Sequence, residues 1–353
     1  MNLPRPESLQ TRLLSLGAAP VHSAQILRNW LWGRPLAAGP RAADDFLPKR
    51  LRDGLPGLQT WLDEQARVAS AHPAQDGSER WLMALADGQT VETVLLPRDG
   101  VCVSTQVGCA VGCTFCMTGR DGLLRQLDAM EILAQVAQAR SQRAVRKVVF
   151  MGMGEPAHNL EAVLLAIDVL GTSGGIGHKN LVFSTVGDHR VFERLPRAQV
   201  RPALALSLHT TDPALRRELL PRAPRIDPAE LVELGETYAR HTGYPIQYQW
   251  TLIDGVNDSD EEAQALGRML AGKYAVMNFI PLNAVGDSPY RRPDATRGIE
   301  LVRQLRNHGV LATLRQSAGQ DVQAGCGQLR ARKLQRNNPK SEVIQFAKAV
   351  RLD

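Results

Sequence analysis

Long apolar runs are missing from this chain, cysteines are few, and the excess of charge is small; each shortage removes a class of protein. No uninterrupted apolar stretch of about 18 residues occurs, so no membrane-spanning helix is expected. The N-terminus, MNLPRPESLQTRLLSLG, has no basic segment leading into an apolar core. No signal peptide is therefore expected, and the cytoplasm, a reducing compartment, is the expected location. Five cysteines in 353 residues are sparse and odd in number, which argues against a disulfide framework. No internal repeat or low-complexity tract is present. Lysine and arginine total 42 against 36 acidic residues, a net charge of +6. That balance favours a polyanionic partner without identifying nucleic acid. What remains is ordinary for a soluble globular protein, long enough for one large domain and one small one.

The cysteines that are present are concentrated. Residues 101–119, VCVSTQVGCAVGCTFCMTG, contain Cys102, Cys109, Cys113 and Cys116. The last three are spaced C-x3-C-x2-C on a glycine-containing loop. Such a loop can wrap three thiolates around one inorganic cluster, one ligand short of a closed site. The open position on such a cluster suits a small molecule with adjacent amine and carboxylate groups. The competing reading is a structural zinc knot with Cys102 or Cys326 as fourth ligand, although zinc ligands usually come as two separated pairs.

Periodicity divides the chain. Residues 1–66 read as a small helical accessory domain, with helices at 24–32 and 46–55. Trp30 and Trp32 are read there as core residues, and Lys49, Arg50 and Arg52 as a solvated helix face. Over 67–100 the period becomes two, and strands at 80–86 and 90–97 flank the hairpin signal Asp87-Gly88. This pattern puts Glu92 on the wet face of its strand. From 101 to 335 strands and helices alternate in six to seven β/α units. That pattern indicates a parallel sheet, either an open doubly wound one or a partial barrel. In both, ligands sit at the carboxyl ends of strands, where the short polar motifs of this region fall. Glycines on both sides of Cys326 suggest a mobile loop. A basic helix is expected over 336–353, within a run that includes Arg330, Arg332, Lys333, Arg336 and Lys340.

The three-cysteine loop resembles that of the radical S-adenosylmethionine (SAM) superfamily. Several further motifs occur in order: VSTQVGC, GMGEP, SLH, GVND, IPLN and GCGQL. Together they resemble the RlmN/Cfr family of radical-SAM RNA methyltransferases, from about Asp76 to Leu329, with a weaker echo in QILRNWLW. The resemblance implies an α/β fold, a partial (βα)6-type TIM barrel. It implies a 4Fe-4S cluster on Cys109, Cys113 and Cys116, and SAM bound by Gly154, Glu155, Ser184, Ser207, Leu208, His209 and Asn283. Cys326 matches the cysteine that carries the methyl group, Cys102 the one that resolves the covalent intermediate by forming a disulfide with it, and Glu92 the proton acceptor. The expected substrate is an adenosine ring carbon, C2 before C8, in ribosomal RNA, with transfer RNA as a second candidate. A reductase or flavodoxin-type electron donor and action as a monomer, away from membranes, complete the expectation.

Two places depart from the family pattern. Met117 stands where a small residue commonly precedes the threonine after the cysteine loop. Gly319-Gln320-Asp321 replaces Gly-Asp-Asp ahead of Cys326. The rival readings are a radical-SAM enzyme acting on another RNA, a peptide or a small molecule, and a zinc-stabilised RNA-binding protein.

Overall fold

The computed structural model of the chain describes residues 8–283 and 288–331. The expected basic helix over 336–353 lies outside them. Strands β1 (Arg67–Pro73), β2 (Glu79–Ala84) and β3 (Thr90–Leu96) form an antiparallel ribbon, and β3 pairs antiparallel with β4 (Gly100–Cys102). A separate ladder of β5 (Gln106–Gly108) and β6 (Leu123–Gln126) brackets the cysteine loop. Strand β7 (Lys147–Phe150) lies parallel to β4. It is followed by β8 (Leu181–Thr185), β9 (Ala203–Ser207), β10 (Ile246–Leu252), β11 (Ala275–Pro281) and β12 (Leu311–Leu314), each parallel to the one before.

Strand order decides between the two architectures left open by the sequence. The large sheet runs β1-β2-β3-β4-β7-β8-β9-β10-β11-β12 without reversal. A doubly wound sheet starts at its middle and reverses at a switch point. Here growth continues in one direction, and the end strands β1 and β12 are not neighbours. The result is a partial barrel of the (βα)6 type, whose strands turn their carboxyl ends to one mouth.

The helices between strands begin where short polar residues can satisfy their first N–H groups. Asp128 accepts from the Glu131 amide at 2.8 Å, Asp188 from Arg190 at 2.9 Å, Asp227 from Ala229 at 2.9 Å and Asp294 from Thr296 at 2.8 Å. Asp128 and Asp188 come just after the ends of β6 and β8, so capping there fixes where the chain turns back along the sheet.

In the N-terminal module, Leu13, Ile26, Leu51, Leu58 and Leu62 supply a buried core. The helix expected at 46–55 is divided. Ala43–Phe46 ends one helix and Lys49–Glu64 forms the next, because Pro48 holds Leu47 extended and caps the second helix. Trp30 is buried as expected. Trp32 is exposed at one edge but engaged: its Nε1 donates to the Ser173 carbonyl at 3.3 Å, and the Arg140 guanidinium lies 4.4 Å from its ring centroid. Arg140 also donates to the Leu31 carbonyl at 3.2 Å. These contacts dock the module on the barrel. No helix among the described residues is long and apolar enough to cross a membrane.

Candidate active site

The cysteine loop is closed at its base by the β5–β6 ladder. The Cys109 amide donates to the Gly122 carbonyl at 3.0 Å. Gly108 adopts φ +79°, and a Cβ there would collide with that same carbonyl oxygen, so only glycine permits the closure. The loop is held from outside by the segment after β9: Thr114 N–H donates to the Leu219 carbonyl at 3.0 Å and Arg222 N–H to the Val111 carbonyl at 3.2 Å. Val111, Phe115, Leu219, Leu220, Ile253 and Leu282 pack around the thiols as an apolar shell.

That shell sets the chemistry of the thiols. Burial pushes the Cys109 thiol up to about 12, opposed by the Val111 N–H and reinforced by Glu155 and Cys116. Burial raises Cys113 as well, and the neighbouring Cys116, Cys109 and Glu155 charges raise it further. Neither thiol readily ionises alone, yet both lie close enough to repel each other once charged. A cationic iron–sulfur group that each can bind as thiolate resolves that conflict. The donors are three thiols on one loop, which is the donor set an iron–sulfur cube takes with one iron left open.

Next to the thiols, the GMGEP turn leaves β7. Gly154 has φ +104°, and a Cβ there would lie 2.6 Å from the Gln106 side chain. Gln106 Oε1 accepts the Glu155 N–H at 2.7 Å. The Glu155 carboxylate accepts Ala157 N–H and Val186 N–H, one per oxygen, both at 3.0 Å. Burial raises Glu155 to about 7 against these bonds. A ligand ammonium at the remaining lone pairs would favour the charged form.

The register across β8 to β12 explains which strand residues reach the lumen. Ser184 pairs with Ala205, so Ser207, two positions on, shares its face. Ser207 pairs with Gln249, Gln249 with Asn278, and Asn278 with Thr313. Leu208 is fully buried, and its N–H donates to the Gln249 carbonyl at 3.0 Å. His209 stands at φ +67°. Its Nδ1 accepts the Thr251 N–H at 3.0 Å, and its ring meets Phe115 edge-on at 4.9 Å. Burial, with Arg216 adding, lowers its pKa to about 3. The imidazole is thus neutral with its proton on Nε2. At the end of β11, Asn283 Nδ2 donates to Ser317 Oγ at 2.8 Å and to the Cys326 carbonyl at 2.9 Å. Its Oδ1 is buried without a hydrogen-bond partner among the described residues. Such an acceptor suits a hydroxyl or amine donor of a bound ligand.

Glu92 corrects the sequence reading: it is buried, not on a wet face. Its Oε1 forms an ion pair with the equally buried Arg80, and its Oε2 accepts the Arg330 N–H at 2.7 Å. Alternation placed it on one face of β3 correctly, but that face is covered by the C-terminal segment. Cys102 is buried and Cys326 exposed, and each lies within the other's electrostatic reach. Burial raises both thiols, while Arg315 and Ser317 partly offset the rise at Cys326. All five cysteines are free, so the disulfide implied by the family resemblance is not formed here. The loop bearing Cys326, expected to be mobile, is tied to the cysteine loop by the Met117 N–H to the Gly327 carbonyl at 2.7 Å and by Thr118 Oγ1 to the Leu329 carbonyl at 2.7 Å.

Three features escaped the sequence reading. Arg216 is buried and donates to the carbonyls of Ser207 at 2.9 Å, Leu208 at 2.6 Å and Val186, pinning two strand ends. Burial lowers its pKa to about 10, with Cys113 and Glu155 opposing. Its signal was the Arg-Arg pair one turn after the cap Asp212. Gln249, Asn278 and Thr313 give the lumen a polar layer, signalled by polar residues at alternate positions in otherwise apolar strands. Asn257, in GVND, is a brace as well as a turn residue: it donates to the carbonyls of His209 at 2.7 Å and Thr251 at 2.8 Å and accepts the Ile253 N–H at 2.8 Å.

Residues 103–266 match the model of the Radical SAM superfamily. A probable RNA methyltransferase of Thiobacillus denitrificans is 66% identical over 334 residues, covering 95% of this chain and 91% of the relative. A protein of the same description from Pseudomonas aeruginosa is 62% identical, covering 94% of this chain and 96% of the relative. Among solved structures, a radical SAM methyltransferase from Sphaerobacter thermophilus superposes with a TM-score of 0.80 at 38% identity, covering 92% of this chain and 97% of that one.

Proposed function

This chain belongs to the RlmN/Cfr family of radical-SAM RNA methyltransferases, and on that premise we propose that it methylates C2 of an adenosine in ribosomal RNA, with transfer RNA as a second substrate class. Cys109, Cys113 and Cys116 would hold a 4Fe-4S cluster. Gly154, Glu155, Ser184, Ser207, Leu208, His209 and Asn283 would hold SAM beside it. When bound, cluster and SAM supply the one-electron chemistry that turns a methyl group into a carbon radical able to add to an electron-poor ring carbon.

The protein's own residues do the rest. Cys326 carries the methyl group on its sulfur. Glu92 accepts the proton lost from the ring carbon. Cys102 then attacks the Cys326 sulfur: one S–S bond forms, the carbon–sulfur bond breaks with its electron pair passing to the methylene carbon, and that carbon takes up a proton and remains on adenine as the methyl group. One observation carries this reading: the segment bearing Cys326 is tied to the cysteine loop through Gly327 and Met117, with Cys326 in the field of the buried Cys102 thiol. A reductase or flavodoxin-type donor would supply the electron in the cytoplasm, and the chain would act as a monomer.

Purification without oxygen, followed by iron analysis and mass spectrometry of the peptide carrying Cys326, tests the proposal. Expected are about four irons per chain and a mass gain of one CH2 unit on that peptide. Iron with an unmodified Cys326 after incubation with SAM would instead point to a peptide or small-molecule substrate, and zinc without iron would remove the radical chemistry altogether.

A further inference from the structure

The segment carrying Cys326 is fastened by residues of the site it serves. Asn283 holds the Cys326 carbonyl, Met117 the Gly327 carbonyl and Thr118 the Leu329 carbonyl. The Arg330 guanidinium forms a two-point ion pair with Asp121, at 3.0 Å for each bond, on the strand-connecting loop beyond the cysteines. The strap is also folded on itself, with Gln328 N–H donating to the Gly325 carbonyl at 3.0 Å and Gln328 Oε1 accepting the Gly325 N–H at 3.1 Å.

One fastening differs from the rest. The Arg330 N–H donates at 2.7 Å to a buried carboxylate, Glu92, whose other oxygen is paired with buried Arg80. Both side chains are 2% exposed. Hydrogen bonds to a charged acceptor are stronger than those to neutral carbonyls. A buried carboxylate also stays ionised only if a partner compensates it. The pair spans β2 and β3, directly opposite the strap, and the Glu92 N–H faces Met153 Sδ at 3.3 Å.

From this arrangement we propose that Glu92 is the latch that holds the Cys326-bearing strap in place, and that Arg80 is the positioning residue that aims its carboxylate. This goes beyond the proton-acceptor role given to Glu92 above and rests on Cys326 being the methyl carrier. While the Arg330 N–H is bound, the Glu92 oxygen facing the strap is occupied. Opening the latch frees the backbone at Arg330, four residues after Cys326, and leaves the Asn283, Met117, Thr118 and Asp121 contacts as the remaining holds on the strap.

Hydrogen exchange of residues 325–331 in the anaerobically purified, cluster-loaded protein tests the latch. Replacing a buried ion pair with apolar residues of similar size is often neutral for stability. The double variant Arg80→Leu with Glu92→Leu should thus keep its cooperative melting while the Arg330 amide exchanges roughly tenfold faster or more. Glu92→Gln, which keeps the shape but removes the charge, should speed exchange by a smaller factor and decides the matter if the double variant does not fold. Unchanged exchange in the variant that folds would overturn the latch. Mass spectrometry of Cys326 separates the two readings: fast exchange with no methyl on Cys326 leaves the latch standing and removes the carrier, and a methylated Cys326 with unchanged exchange does the reverse.

Discussion

The two faces of the parallel sheet carry opposite chemistry although they alternate along the same strands. Outward, Phe183, Leu204, Leu206, Tyr248, Trp250, Met277 and Phe279 are buried beneath the helices in one continuous core. Inward, the corresponding positions are Ser184, Ser207, Gln249, Asn278 and Thr313. In a complete barrel the interior is filled by layers of branched apolar side chains. Here most of the apolar packing lies on the outer face, and the lumen keeps only a small apolar cluster of Val182, Ala203 and Ala205 beside its polar residues. The arrangement teaches that one strand can serve packing and binding at once, because its side chains alternate with a period of two.

The sharpest break comes from removing one of the cysteines proposed to hold the cluster. Cys113→Ala should abolish cluster assembly, seen as loss of iron and colour, with the outer core still folding cooperatively in a thermal melt. On the other face, Trp250→Ala should cost about 3–5 kcal/mol of stability. Trp250 is 1% exposed, and its Nε1 also donates to the Asn257 carbonyl at 3.2 Å, so the brace at His209 loosens with it. Denaturant unfolding measures the cost directly.

Arg216 joins the faces, since its guanidinium caps strand ends from beneath the lumen. Arg216→Met leaves three carbonyls without their donor and should cost about 2–4 kcal/mol. It should also speed iron loss to a chelator, which an ordinary core defect of equal cost would not do to the same degree.

Acid tests the burial of the histidines. His209 and His72 titrate near 3 and 4 rather than 6.5, burial being the first cause in both, with Arg216 and Arg80 adding. Below about 6.5 the unfolded chain binds protons that the folded one does not, so stability falls as pH drops from there toward 4. Between pH 7 and 5 the loss should be about 1–2 kcal/mol for each histidine, and His72→Gln should flatten the pH dependence of the urea midpoint. The smallest effect belongs to the lumen: Ser207→Ala should change stability by less than about 1 kcal/mol, while weakening SAM binding measured by calorimetry.

Much of this was legible in the sequence because its signals are local. The helix over Pro228–Thr242 begins at Asp227-Pro228 and ends at Gly243 in the left-handed conformation, and both ends could be read from residue type. The cysteine spacing and the motifs at strand ends likewise depend only on neighbours in the chain. Glu92 was misplaced because its covering comes from Arg330, 238 residues away. Arg216 was missed because its three acceptors are backbone carbonyls, which leave no mark on residue type. The β5–β6 ladder around the cysteine loop was too short to stand out as alternation.

By itself, then, the sequence determined the units: which segments are strands, where helices start, and where the cysteines and polar motifs fall along the chain. Tertiary structure alone decided the strand order that makes the barrel partial, the burial of Glu92 against Arg80 and Arg330, and the approach of Cys326 to Cys102. The physical reason is range. Capping and periodicity act within a few residues, whereas strand order, burial and charge pairing arise only when distant segments share the same space.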